Sequence, residues 1–309
     1  MTPRRLPSKD AIDVPPLTDV PGPGRLEMGC AAVLATGLFA ASACAWVSEM
    51  ATSIPDAAQS GNPAWGADAR LIVWILGWVV HALGTGPTRL FDANIYHPIP
   101  SMLTGSEHLL SAVVFTGPVY ALSDNPILAA NIAAMSTYVL AAVVTYALMR
   151  TLALPVVAAG VAGAAFALGP LQVPADVHVL QYPSWCLALV LLVSVRATRT
   201  GRYRWVMPAV TFAVFSSYYI AAMTAVVLAS ESVIVLRTLG RKPALRLLAA
   251  ATPAYLLLAL FSLPYLGGTT SRPAAESVDG WIVASQWFWS KIVDPGSVDP
   301  GFGWGLVVL

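Results

Sequence analysis

Three places in this 309-residue chain hold side chains able to do acid–base or metal chemistry. Asp68 heads an apolar stretch in Trp65-Gly-Ala-Asp68-Ala-Arg70, Ser106-Glu107-His108 follows a polar turn, and Asp176-Val-His178 stands in a later polar segment. A carboxylate at the head of an interfacial helix is partly desolvated, so it can act as a general base or hold a metal. A Glu-His dipeptide offers a hydrogen-bonded acid/base pair or ligands for a divalent ion. Residues two apart in an extended segment point the same way, which makes Asp176 and His178 candidate ligands for a divalent metal ion, Mg or Mn.

Each group also has a plainer reading. Asp68 suits a helix N-cap, and Asp92 suits a turn. Glu107 with Ser106 can close a helix start. His108 can snorkel at a membrane interface, and His81 and His97 read as structural.

The elements that must position these groups are apolar spans. Hydrophobic residues make up 57% of the chain and charged residues 11%, with a mean hydropathy of +0.70. A soluble chain carries about 25% charge, so the composition is that of a membrane protein. The net charge of +1 argues against nucleic acid as a partner. Cys30, Cys44 and Cys186 sit in or beside apolar stretches at no metal-ligand spacing and read as small core residues.

Residues 1–27, with six prolines, read as a disordered cytoplasmic tail, and 28–309 as a single transmembrane domain. About 18 apolar residues suffice to cross a hydrocarbon core of about 30 Å. The charge-poor windows are Gly29–Val47, Asn125–Met149, Thr151–Ala175, Val177–Val195, Trp205–Ser230 and Leu247–Ser271. The region Trp205–Leu236 is flanked by Arg204 and Arg237 and is too long for one crossing. With basic residues kept inside, it must cross twice, and Ser216–Tyr219 forms the tip.

The positive-inside rule puts 13 of the 17 Lys and Arg on the cytoplasmic side. The outer face then comprises a long loop 51–124, a second loop 172–182 and a third, 267–300. Within the first, Leu71–Leu83 and Leu109–Leu122 read as short interfacial or re-entrant helices. The expected fold is all-α: a multi-pass plasma-membrane protein with a cytoplasmic N-terminus. It has about seven complete spans and one partial, the last begun at Gly305–Leu309, which reads as a C-terminal truncation.

Taken in order, these motifs resemble a family. The run Asp68-x-x-Leu71-x-x-Trp74-Ile-Leu-x-Trp78, then Leu90-Phe91-Asp92-Ala-Asn94-Ile-Tyr96-x-Pro98, then Ser106-Glu107-His108-Leu-Leu, is similar to the first outer loop of the YfhO-like bacterial membrane proteins. The likeness continues through Asn125-Pro126-x-Leu128-Ala-x-Asn131, the Arg150 turn, His178-x-Leu180-Gln181 and Ser216-Ser217-x-Tyr219. Those proteins belong with the GT-C glycosyltransferases, multi-span cell-envelope enzymes that use sugars carried on polyprenyl phosphate.

The resemblance implies a GT-C topology in which the first and second outer loops share a site, sometimes with a divalent metal. It implies transfer of a sugar from a polyprenyl-phosphate donor in the surrounding membrane lipid to a glycan, lipid or protein acceptor. The catalytic carboxylate matches Asp68 best, with Glu107 and His108 beside it. Arg70, Asp92, Gln181 and Tyr219 are the candidate substrate-binding residues, and Asp176 and His178 the candidate metal ligands. The pattern departs from the family in lacking a DxD in the first loop and in its shorter run of spans. Two further classes remain open: a transporter or lipid flippase, favoured by the intramembrane Glu231, and a non-catalytic membrane scaffold.

Overall fold

The computed structural model describes residues 23–43, 50–52, 63–95, 100–169, 180 and 183–268. The helices are α1 (Arg25–Ala43), α2 (Pro63–Thr85), α3 (Val113–Ser123), α4 (Pro126–Thr151), α5 (Val156–Ala167), α6 (Trp185–Thr200), α7 (Val206–Val214), α8 (Tyr218–Thr238), α9 (Arg241–Phe261) and α10 (Leu263–Gly268). No strand occurs among the described residues.

Three helices, α4, α8 and α9, are long and apolar enough to cross a membrane, with mean hydropathies of 2.0, 2.0 and 1.8. The outward faces of α8 and α9 carry exposed Val226, Leu256 and Leu260, which suits a solvent of lipid tails. The expectation of two short crossings over Trp205–Leu236 is corrected in one respect. The chain does break at Phe215–Ser217, but the two pieces are unequal. At about 1.5 Å per residue the nine residues of α7 cover less than half a hydrocarbon core, whereas the 21 of α8 cover it fully. Likewise α5 is only 12 residues long, shorter than the window 151–175 suggested. The window 177–195 is displaced: α6 runs over Trp185–Thr200.

Local chemistry explains where the elements start and stop. Asn125 caps α4 by accepting the Leu128 N–H at 3.0 Å, and Pro126 supplies the first helical position. The turn from α4 to α5 is held at Arg150, which donates to Leu154 O at 2.6 Å and pairs with Glu27 at 2.5 Å. Gly201, at φ +69°, ends α6 in the left-handed conformation that glycine takes without strain.

Helix α4 is the centre of the assembly, touching α1, α2, α3, α5 and α6, while α9 touches α6, α7, α8 and α10. Its contact with α5 is close: a Cβ on Gly163 would lie 2.6 Å from the Ala142 carbonyl oxygen. One apolar core joins α2, the loop 86–112, the start of α4 and Leu180. A second joins the rest of α4 with α6 to α9, and Phe115 and Phe261 border both.

The basic loops gather at one end of this bundle. Arg199 donates to the Thr151 carbonyl, and Tyr203 to Pro243 O at 3.4 Å. These bonds tie the α4–α5 turn to the end of α6, and the α6–α7 loop to the start of α9. The loop 86–112 lies at the other end, where α7 meets α8 and α9 meets α10.

Candidate functional site

The loop between α2 and α3 folds on itself. Trp78 Nε1 donates to Leu90 O at 2.8 Å, Leu103 N to Phe91 O at 3.1 Å, and Ser101 N to Asp92 Oδ1 at 3.1 Å. Leu103 and Leu109, 1% and 0% exposed, anchor it in the core. Ser101 and Leu109 stand at φ +56° and +47°, a conformation that costs a non-glycine residue energy and that these anchors impose.

Its last residues, 106–111, supply what the broken helices lack. A helix break leaves backbone N–H and C=O groups without partners, and in lipid none can come from water. Glu107 Oε2 accepts the Tyr218 N–H at 2.8 Å, at the first position of α8. The Ser217 side chain accepts the Ile220 N–H in the same turn. Ser111 donates from its backbone to Phe215 O at 2.9 Å and from its hydroxyl to Phe212 O at 2.6 Å, two carbonyls at the end of α7, the second of which also accepts from Ser216 Oγ at 2.9 Å. From the α9–α10 break, Tyr265 Oη donates to Ser106 O at 3.2 Å, and Ser262 Oγ shares a 2.9 Å hydrogen bond with Tyr218 Oη. Glu107 therefore does close a helix start, but that of a helix 111 residues away.

Burial pushes the Glu107 carboxyl above its ordinary range, an effect the Tyr218 N–H partly offsets. His108 is completely buried, walled by Tyr218 and Phe261 at ring-centroid distances of 5.0 Å and by Phe215 at 6.0 Å. Its Nδ1 accepts the Leu110 N–H at 3.2 Å, so the ring proton of the neutral form sits on Nε2, which has no hydrogen-bond partner. Desolvation lowers its pKa to about 4. At neutral pH His108 is thus an uncharged ring in an aromatic box.

The predicted site residues are distributed as follows. Asp68 lies in the first turns of α2, where only its backbone is described, and the next residue, Ala69, is fully buried in the core that holds Leu103 and Leu109. Arg70 and Asp92 are exposed, Asp92 acting as a loop brace for Ser101. Tyr219 is 48% exposed, while its neighbour Tyr218 faces the junction. Asp176, His178 and Gln181 lie outside the described residues. Leu180, however, is 2% exposed and packs in the same core as Ala69, Leu103 and Leu109. Among the described residues no three His, Cys, Asp or Glu side chains form a metal-binding group.

Sequence reasoning missed Ser111, Tyr218, Ser262 and Tyr265. The doublet Tyr218-Tyr219 signalled an interfacial position, but which ring turns inward depends on where α8 begins. Comparison of the chain with protein-family models, with curated proteins and with solved structures finds no match.

Proposed function

We propose that the chain is a membrane glycosyltransferase of GT-C topology. It moves a sugar from a polyprenyl-phosphate donor to an acceptor at the outer face, the end of the bundle that holds loop 86–112. The observation that carries this reading is the burial of Leu180, next to Gln181, in the same apolar core as Ala69, Leu103 and Leu109. Leu180 is thus set against the core of the first loop, which supports a site shared by the two loops. The gathering of basic loops at the opposite end supports the orientation, and the seven-span count belongs to the same proposal.

In this reaction Asp68 deprotonates the acceptor hydroxyl, which displaces polyprenyl phosphate at the anomeric carbon. Arg70 is the cation that meets the departing phosphate; Asp176 and His178 are the residues that would hold a divalent ion, which would supply charge stabilisation for the same phosphate. Glu107 and His108 hold the loop and helix breaks in register around that centre. The test is release of polyprenyl phosphate from a radiolabelled polyprenyl-phosphate sugar by membranes carrying the chain. Asp68→Asn should abolish release while insertion and thermal stability stay unchanged. Unchanged release by that variant would overturn the assignment.

One observation favours a second reading. Glu231 on α8 is 6% exposed and both its carboxylate oxygens lack a hydrogen-bond partner. The Ser194 hydroxyl on α6 faces it without closing a hydrogen bond, and Ser232 and Thr224 on the same buried face of α8 are also unpartnered. Such a polar centre inside a bundle is characteristic of transporters. Ion-coupled solute uptake into proteoliposomes that is lost in Glu231→Gln, with donor cleavage absent, would establish this reading instead.

A further inference from the structure

At the basic end of the bundle a depression of about 440 Å³ is lined by Arg241, Lys242, Leu245, Arg246 and Ala249, all on the first turns of α9. Three of these five residues are cationic, and all three cations are exposed. The ion pair found among the described residues joins Glu27 and Arg150, so no described carboxylate neutralises the three cations. Gly240 precedes the helix without any side-chain cap, leaving positive dipole density at the same spot. The helix beneath it is anchored to the bundle, because Pro243 O accepts from Tyr203 Oη and Ala244 and Leu247 are buried.

The same helix face continues away from the cations as an apolar stripe. Leu245, Leu256 and Leu260 are 52%, 60% and 64% exposed and recur at helical spacing with Ala249 and Thr252 between them, the Thr252 hydroxyl turned to the Leu248 carbonyl. From Leu245 to Leu260 this stripe is about 22 Å long at 1.5 Å per residue, roughly the reach of an extended acyl chain. Cations at the end of a span and an apolar track along it match one kind of occupant.

We propose that this cradle is a binding site for an anionic phospholipid. The headgroup phosphate is held by Arg241, Lys242 and Arg246, and an acyl chain lies along the Leu245–Leu260 face. Arginine can hold a phosphate oxygen pair bidentately, whereas Lys242 acts as a point charge. The site is independent of the sugar-transfer reading, because it lies at the other end of the bundle.

The experiment uses delipidated full chain in neutral detergent, titrated with phosphatidylglycerol or phosphatidylcholine in mixed micelles. Retained lipid is counted by native mass spectrometry. Saturable retention of about one phosphatidylglycerol, with phosphatidylcholine retained far less, is the expected result. Each cation near an anionic headgroup is worth about a 5-fold gain in affinity, from about 1 kcal/mol per charge. Arg246→Gln should therefore weaken retention about 5-fold, and the Arg241→Gln/Lys242→Gln/Arg246→Gln triple variant about 100-fold. Arg237→Gln, outside the cradle, should leave it unchanged.

Far-ultraviolet circular dichroism and lipid-free melting of the triple variant should match the parent, because the substituted side chains are exposed. If the triple variant melts early, Arg246→Gln alone decides the matter. Equal retention of the two lipids would overturn the proposal, as would triple-variant binding like the parent's. Displacement of the retained phosphatidylglycerol by an equal concentration of inorganic phosphate would also overturn it, by showing a free-anion site with no role for the apolar face.

Discussion

Glu107 invites the sharpest test, because its two roles predict different outcomes for two substitutions. Its Oε2 satisfies the first N–H of α8 at 2.8 Å, and burial raises its pKa. Glu107→Ala leaves the Tyr218 N–H without its acceptor in a half-buried place. An abandoned buried donor costs about 1–3 kcal/mol, and partial hydration brings the expected loss to about 1–2 kcal/mol. Glu107→Gln keeps a carbonyl oxygen at the same position and resembles the protonated acid. It should be at least as stable as the parent at neutral pH, where the parent's buried carboxyl has lost part of its contribution.

The sign of the pH effect follows from the raised pKa. The folded state holds the Glu107 proton more tightly than the unfolded chain does. Its contribution is therefore fully present below the ordinary carboxylate value of about 4.5 and is lost as pH rises through the raised folded value. Glu107→Gln should flatten the stability profile above that ordinary value. Melting of purified protein, followed by tryptophan fluorescence at pH 4 to 8, reads both effects. If Glu107→Gln fell as far as Glu107→Ala, or if neither changed the melt, the helix-start argument would be refuted.

Other substitutions separate packing from chemistry. Gly163→Ala drives a Cβ to 2.6 Å from Ala142 O and should destabilise by about 1–3 kcal/mol. By contrast, Gly160→Ala meets nothing within 4 Å and should be neutral or stabilising by melting. His108→Phe fills the aromatic box and removes the orphaned Nε2 donor, but it also removes the Nδ1 acceptor of the Leu110 N–H, so it should cost about 1–2 kcal/mol by melting at neutral pH; a loss well above about 3 kcal/mol would refute the uncharged-ring assignment. Glu27, held down to about 2 by hydrogen bonds from Arg150 and Tyr146, stabilises above its ordinary pKa of 4.5, and this is lost as pH falls toward 2. Any melting difference between Glu27→Gln and the parent at pH 7 should therefore vanish by pH 2.

Much of the helical framework was legible because apolar length is a local property. The windows beginning at Asn125 and Trp205 found α4 and the α7–α8 break, since the first is a charge-free run of spanning length and the second is too long for one crossing between Arg204 and Arg237. The partition at that break was not legible: hydropathy reports transfer to lipid and does not say that the chain turns after nine residues and resumes for 21. In the site, Ser106-Glu107-His108 was recognisable as chemically unusual. Its partners were not, because Phe212, Phe215 and Tyr218 lie about a hundred residues away and are specified only by packing. The resemblance points to Tyr219 through Ser216-Ser217-x-Tyr219, whereas Tyr218 is the ring that packs at the junction. A doublet of like residues carries no periodicity to choose between them.

The clamp on the α7–α8 break also has a direction in time. Residues 106–111 leave the ribosome before the helix start they complete, and Glu107 precedes Tyr218 by 111 positions. At about 5–20 residues per second, the acceptor is made about 5–20 s before its donor. The early loop thus stands ready as a template when the later segment inserts. An unpaired helix start need never wait in the bilayer for its partner. A chain carrying the same segments in permuted order would have to hold that break open until the loop arrived.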